Sequence, residues 1–365
     1  MKLSFPLFQS ASKKEMPLTK ELKEACHLSP PTLTLTGEEV KLTRIIREQT
    51  EQANRNNVTR TKAYLDFYLK HPEVHWAFLA HLVSRNAGWT MTDLRGEYLP
   101  RFLSPDDQHA FFSFLERGNW LIFQDAYPQL LIYAESLKVN KPLFHLLSAF
   151  HVSSFMKVIW HRFWKDKASD TLSVALIINE QHYIDSRVIN DQHFQQTVFK
   201  TLPFQIQNVF NMNVLLFPLI RNRSIQLIGE PANHFLYVKE RIELGKRLYQ
   251  LVFSNESILN EILEWSTRHS HTGSRKDFWP ELFHSLKEGK PDEKRVLEQC
   301  SLKKGPRLYS PLLSVWKDAH HDSPHRKDWF VNTSALSLFK LPDPDFSGNA
   351  AKIYCRSLHL LESLL

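Results

Sequence analysis

Glycine is scarce in this chain, with 10 residues in 365. Sandwiches and barrels need turn residues at short, regular intervals, so the scarcity argues against them and favours helices. Cysteine is scarcer still. Cys26, Cys300 and Cys355 are odd in number, far apart and without a C-x-x-C pair. Neither a disulfide framework nor a thiolate zinc site is therefore expected, and the three read as small buried hydrophobes or inert surface thiols. No apolar run reaches the roughly 18 residues of a membrane-crossing helix. Phe5-Pro6-Leu7-Phe8 is too short for a signal-type core and Lys13-Lys14-Glu15 follows soon, which points to the cytoplasm. Nucleophile-elbow, Walker A and dinucleotide fingerprints are missing too, so no cofactor is assigned.

Large apolar groups are plentiful. The chain has 25 Phe and 9 Trp and is 42% hydrophobic, enough to bury a sizeable core. The expected fold is a mostly α, multi-helix globular bundle. A net charge of +7 and a pI near 9.1 raise the question of nucleic acid. Yet 46 basic and 39 acidic residues are interspersed, and the longest basic cluster is only Lys303-Lys304-Gly305-Pro306-Arg307. Diffuse charge serves solubility equally well. Nucleic acid therefore ranks third, behind a protein partner or a small anionic ligand.

Residues 1–36 mix Ser, Thr, Lys and Pro and read as a flexible leader with one short helix at 18–26. Residues 37–330 read as a single helical domain and 331–365 as a C-terminal extension. Asn57 suits the N-cap of a helix over 58–70, and Pro72 suits the opening of the next. Ser104-Pro105-Asp106-Asp107 is a stronger start: a cap hydroxyl, proline in the first turn, then acids facing the dipole. Gly118 suits the C-cap of that helix. Pro128 then predicts a kink or two consecutive helices. Further helices are expected over 153–167 and 172–188. The second is apolar on every side from Leu172 to Ile178, the mark of a central buried element. Residues 213–232 break the helical texture around Arg221-Asn222-Arg223, predicting a small hairpin or an irregular insert, where a subdomain boundary would also fall. A helix returns over 233–254. It carries Lys239, Glu243, Lys246 and Arg247 on a solvated face and Arg241 inward, in a row with Leu244 and Leu248. A last helix is expected at 312–319.

Polar groups embedded in apolar runs are where a site would form, because a buried charge needs a partner. Glu180 follows directly on the apolar stretch of the central helix, and Arg85 and Arg241 are the expected buried cations for it. Glu116-Arg117-Gly118-Asn119 shows the same mixture. Asp125, three residues before Pro128, suits a cap for amides exposed at a kink. The segment from Trp265 to Pro280 concentrates His269, His271, Arg275 and Asp277 between aromatic anchors. It reads either as a capped turn, with Asp277 capping a helix from Phe278, or as an anion-binding loop. Asp318, His320, His321, Asp322 and His325 match no metal-ligand spacing and read as exposed polar residues.

Several segments resemble the YppC-like family of uncharacterised proteins of spore-forming Firmicutes, a domain of unknown function. They are Asn57-Val58-Thr59-Arg60-Thr61, Val83-Ser84-Arg85-Asn86 through Trp89, Met91-Thr92-Asp93-Leu94, Asp125-Ala126-Tyr127-Pro128-Gln129-Leu130-Leu131, Arg241-Ile242-Glu243-Leu244-Gly245-Lys246 and His271-Thr272-Gly273-Ser274-Arg275. The resemblance implies a bacterial cytoplasmic setting and one continuous domain through residue 213, and it assigns no activity. The expectation is a helical protein that binds a partner or small ligand through an internal polar network. The alternative is a helical enzyme acting on an anionic or phosphorylated substrate. Arg85, Glu180, Arg241, His269, His271 and Arg275 are the candidate pocket residues for either.

Overall fold

Helix ends follow local chemistry in this computed structural model, which describes residues 15–27, 34–201, 214–232, 235–288, 297–298, 300–302, 305–325, 327–344 and 350–363. The helices are α1 (Glu15–His27), α2 (Gly37–Ala53), α3 (Asn57–Tyr68), α4 (His75–Asp93), α5 (Pro105–Lys138), α6 (Ser154–Asp166) and α7 (Ser169–Ile184). After a hairpin come α8 (Val238–Phe253), α9 (Glu256–Arg268) and α10 (Ala350–Ser363). The chain is mostly α, with only small strand pairs. Capping boxes start three helices: Thr36 with Glu39, Asn56 with Thr59, and Ser104 with Asp107. Asn56, not Asn57, therefore caps α3. Pro72 lies before α4, which opens at His75. The expected helix at 312–319 is a single turn, Leu312–Val315.

The largest departure is α5. It runs unbroken for 34 residues through both Gly118 and Pro128. Gly118 closes nothing, because its neighbours on either side pack into the fold. Pro128 removes one backbone donor, and burial of Phe123, Ala126, Leu130 and Ile132 around it outweighs that loss. Packing overrode Gly118 as a stop and Pro128 as a break between two helices.

Helix α7 is the central element, in contact with α4, α5, α6 and α8. Every residue from Leu172 to Asn179 is buried, as its all-round apolar sequence requires. It ends in a wider, π-type turn over Asp185–Ile189. The main core cluster surrounds α7; a second gathers Trp89, Trp265, Phe278 and Tyr309, and a third Phe111, Phe114, Ile184 and Trp316.

Residues 214–231 form the hairpin, β1 (Val214–Arg221) antiparallel to β2 (Ser224–Pro231) with Arg221 opposite Ser224. The two-residue turn Asn222-Arg223 has positive φ at both positions, 52° and 62°, the backbone that matches strand twist in a tight hairpin. The Asn86 amide of α4 pairs with the Leu216 backbone, donating to its carbonyl (2.9 Å) and accepting from its N–H (2.7 Å). The hairpin is thereby stitched into the helical body.

The ends of the described chain pack as well. Leu18 and Leu22 of α1, within the expected leader, are buried in the main cluster. The face of α8 expected in solvent is partly covered: Lys246 is buried and donates to Glu243 and to the Leu338 carbonyl. Arg247 pairs with Glu230 instead of Glu243. Cys300 and Cys355, expected as separate thiols, are bridged, their Cα atoms 5.5 Å apart, which ties α10 to the preceding loops.

Candidate functional site

A cavity of about 270 Å³ lies between α3, α4, α5, α7, α8 and the hairpin. Its walls are mainly apolar and aromatic, with Tyr64, Trp76, Phe111, Phe114 and Phe235 among them. Two of the six expected pocket residues face it, Glu180 and Arg241. They do not pair with each other. Gln181 stands between them, its amide donating to Glu180 Oε1 (3.1 Å) and accepting from Arg241 Nε (2.9 Å). Arg241 forms its ion pair with Asp185 (2.6 Å), which the π-type turn after α7 brings within reach.

Among the described residues, Glu180 is left without a cation. Its second oxygen accepts from Trp76 Nε1 at 3.2 Å. The side chain is half-buried and lines the cavity. Burial pushes its pKa up to about 8, outweighing the two donors that favour the carboxylate, and the nearby Asp125 adds to the rise. The group is thus a neutral acid through most of the physiological range. The expected pairing with Arg85 or Arg241 does not occur.

Arg85, His269, His271 and Arg275 lie apart from the cavity lining. Arg85 is buried on Trp265 (4.6 Å to the ring centre), donating to His81 Nε2 (3.0 Å) and to the His269 carbonyl. Burial pulls its pKa down to about 10. His271 bridges Asn57 Oδ1 (2.8 Å) and Asp277 (3.3 Å). Its burial disfavours the imidazolium and lowers its pKa. Asp277 accepts from Trp89 Nε1 and from the Thr272 N–H and hydroxyl. Burial alone would raise its pKa, but these contacts and His271 win and hold it below the usual carboxylate value. Asp277 therefore caps no helix at Phe278. Arg275 pairs with Asp93 through Nη2 (2.8 Å). This is a dry polar lock between α4, α9 and the loop at 269–277.

Gly88 is the hinge of that lock. A Cβ there would stand 2.2 Å from Asn57 Oδ1 and 2.5 Å from His271 Nε2. Alanine is the better helix former by roughly 1 kcal/mol. The clash is against two buried, hydrogen-bonded groups, and overpacking costs about 1–3 kcal/mol. Gly88→Ala should therefore lower the thermal midpoint by several degrees. An unchanged or raised midpoint would show that the loop can move aside.

Asp125 does not cap the backbone as expected. It accepts from the side chains of Asn179 (2.6 Å) and Gln129 (2.9 Å), and burial lifts its pKa to about 7. Arg60 and Glu116 form a buried ion pair that was not foreseen, although Glu116 lies in a segment singled out for its polar content. A long-range match of one cation with one acid has no signature in sequence spacing. His320 and His325 are exposed, but His321 is tucked against Trp120 and Glu116. Among the described residues, no group of three or more His, Cys, Asp or Glu could hold a metal.

The family model described as "Protein of unknown function (DUF2515)" matches residues 52–351. The chain is similar to the uncharacterized protein YppC of Bacillus subtilis (strain 168), 43% identical over 269 residues, covering 69% of this chain and 83% of that protein. No solved structure matches. No described helix is long and apolar enough to cross a membrane.

Proposed function

We propose, from the premise that this chain belongs to the DUF2515 family of proteins of unknown function, that it binds a small, mainly apolar ligand in the cavity beside α7. One observation carries the reading: a mainly apolar cavity in the middle of the helical body holds, among the described residues, a single carboxyl that pairs with no cation. Ligand sites are concave, mostly apolar and furnished with a few fixed polar groups, typically at about 300–1,000 Å³. The cavity, at about 270 Å³, lies just below that range. A core kept only for stability gains from filling such space, since packing loss grows with cavity volume.

The reading stops at binding. His269, His271 and Arg275 are engaged with one another's neighbours away from the cavity, and the cations on the cavity wall are matched by carboxylates. A phosphorylated substrate would therefore meet no free charge there. A bacterial setting is taken from the Bacillus subtilis relative.

The test is a thermal-shift titration of the whole protein with short alcohols and small aromatic compounds. A ligand bound only by the native state stabilises it by about 2.7 kcal/mol at a hundred times its Kd. A saturable rise in midpoint is expected, and it should vanish in Ala87→Phe, which fills the cavity wall, and weaken in the milder Ala87→Leu. No rise with any compound, or an equal rise in both variants, would overturn the reading.

A further inference from the structure

The charges around the cavity are unevenly matched. On the α3 wall, Arg60 is bound to Glu116 of α5. On the α8 wall, Arg241 is bound to Asp185. Each guanidinium thus has its own carboxylate. Among the described residues, Glu180 has only neutral donors: the indole N–H of Trp76 from α4 and the amide of its neighbour Gln181. Its other titratable surroundings are the buried phenol of Tyr64 on α3 and Asp125 on α5, neither of which carries positive charge. The hairpin contributes only Val214 and Leu215 to the lining. If Glu180 ionises, the cavity acquires one uncompensated negative charge.

We propose that the cavity selects a monocation, a primary or substituted ammonium on a short apolar body, with Glu180 as its counter-ion. This rests on the reading of the cavity as a ligand site and names the chemical class it takes. An ammonium supplies the cation that Glu180 lacks, on a cavity wall that the aromatic side chains of Tyr64 and Trp76 also line. The apolar body then occupies the part of the cavity towards Phe111, Phe114 and Phe235. A carboxylate or phosphate ligand would be repelled by an ionised Glu180 and would have to displace an existing carboxylate to reach a guanidinium. A neutral ligand would use the walls but leave the carboxyl as it is.

Binding is coupled to a proton. Free protein holds Glu180 as the acid; the bound ammonium requires the carboxylate, so one proton leaves to solvent as the ion pair forms. No other bond changes. The ligand's own charge stays fixed, because an alkylammonium remains protonated across this range. Ammonium affinity therefore rises with pH until Glu180 is ionised in the free protein.

Isothermal titration of the full chain with hexylammonium chloride, and with 1-hexanol as a neutral match, tests this. Hexylammonium should bind about 15-fold more tightly at pH 8 than at pH 6.5, following the fraction of ionised Glu180. At pH 6.5 the heat should differ between buffers of unlike ionisation enthalpy, by an amount equal to nearly one proton released. Glu180→Gln should lose at least tenfold in hexylammonium affinity and keep its affinity for hexanol, which also reports that the variant is folded. If hexanol binds and hexylammonium binds no better, or Glu180→Gln leaves the ammonium unaffected, the cation inference is wrong while the apolar-ligand reading stands. If neither compound binds, both are wrong.

Discussion

Arg60→Ala should destabilise the fold by about 3–5 kcal/mol, the typical result of leaving one member of a buried ion pair without its partner. Arg60 and Glu116 are 1% and 2% exposed, so the Glu116 carboxylate would lose its main counter-ion with almost no access to water. Burial raises the Glu116 pKa and Arg60 and His321 lower it, with the lowering dominant. Removing Arg60 tips that balance. The guanidinium also holds the end of α2, donating to the Asn54 carbonyl and side chain. Glu116→Ala should cost a comparable amount. The double replacement Arg60→Met with Glu116→Leu should cost far less than the sum, because apolar residues of similar volume relieve the desolvation of both ions. Urea unfolding of the parent and the three variants gives the comparison. Single variants within 1 kcal/mol of the parent would mean that the pair is more hydrated than the fold implies.

Stability should fall between pH 6.5 and 8, and Glu180→Gln should remove most of that fall. The sign follows from the direction of the shift. The folded-state pKa of Glu180 is about 8, above the ordinary value of 4.5, so the native state holds this proton more tightly than the unfolded chain does. Its favourable contribution is complete below pH 4.5 and is lost as pH rises through 8. Over the 1.5 units above pH 6.5 that amounts to about 1–2 kcal/mol, after allowance for the water that reaches Glu180 through the cavity. Asp125, raised to about 7, acts in the same direction and completes its change earlier. Buried histidines work the other way. Burial lowers the pKa of His81 well below the ordinary 6.5, and it lowers His271 likewise. Their contribution is complete above pH 6.5 and is lost on acidification. The carboxyls are therefore cleanly visible only on the alkaline side. Chemical denaturation at half-unit steps of pH measures the slope; a flat profile for the parent, or the same slope in Glu180→Gln, would count against a protonated Glu180.

Much of the helical framework was legible because helix termini and apolar periodicity are local. Ser104 with Asp107, the all-round apolar run of α7 and the inward row of Arg241, Leu244 and Leu248 all appear where expected. The hairpin was legible only as one of two options, because its paired residues are joined across a turn whose backbone the sequence left open. The failures share a cause. Gly118 and Pro128 are breakers by local propensity, and α5 runs through both because its flanks are buried on several sides. Lys246 reads as a solvated residue from α8 alone; the carbonyl that accepts from it belongs to Leu338, 92 residues away.

The polar groups divide in the same way. That Arg85 and Arg241 would be buried, and that Glu180 would need a partner, followed from residue type and periodicity alone. Which partners they found did not. Arg85 turned to His81 and a carbonyl, Arg241 to Asp185, and Glu180 was left facing a cavity. Burial is a property of one helix face, which four or five residues can declare. Pairing depends on where several helices place their side chains together, and contacts between residues 56, 60 or 104 positions apart leave no trace in local spacing. The sequence by itself determined a mostly helical body with costly polar groups inside it. The tertiary structure decided that one of them is unmatched.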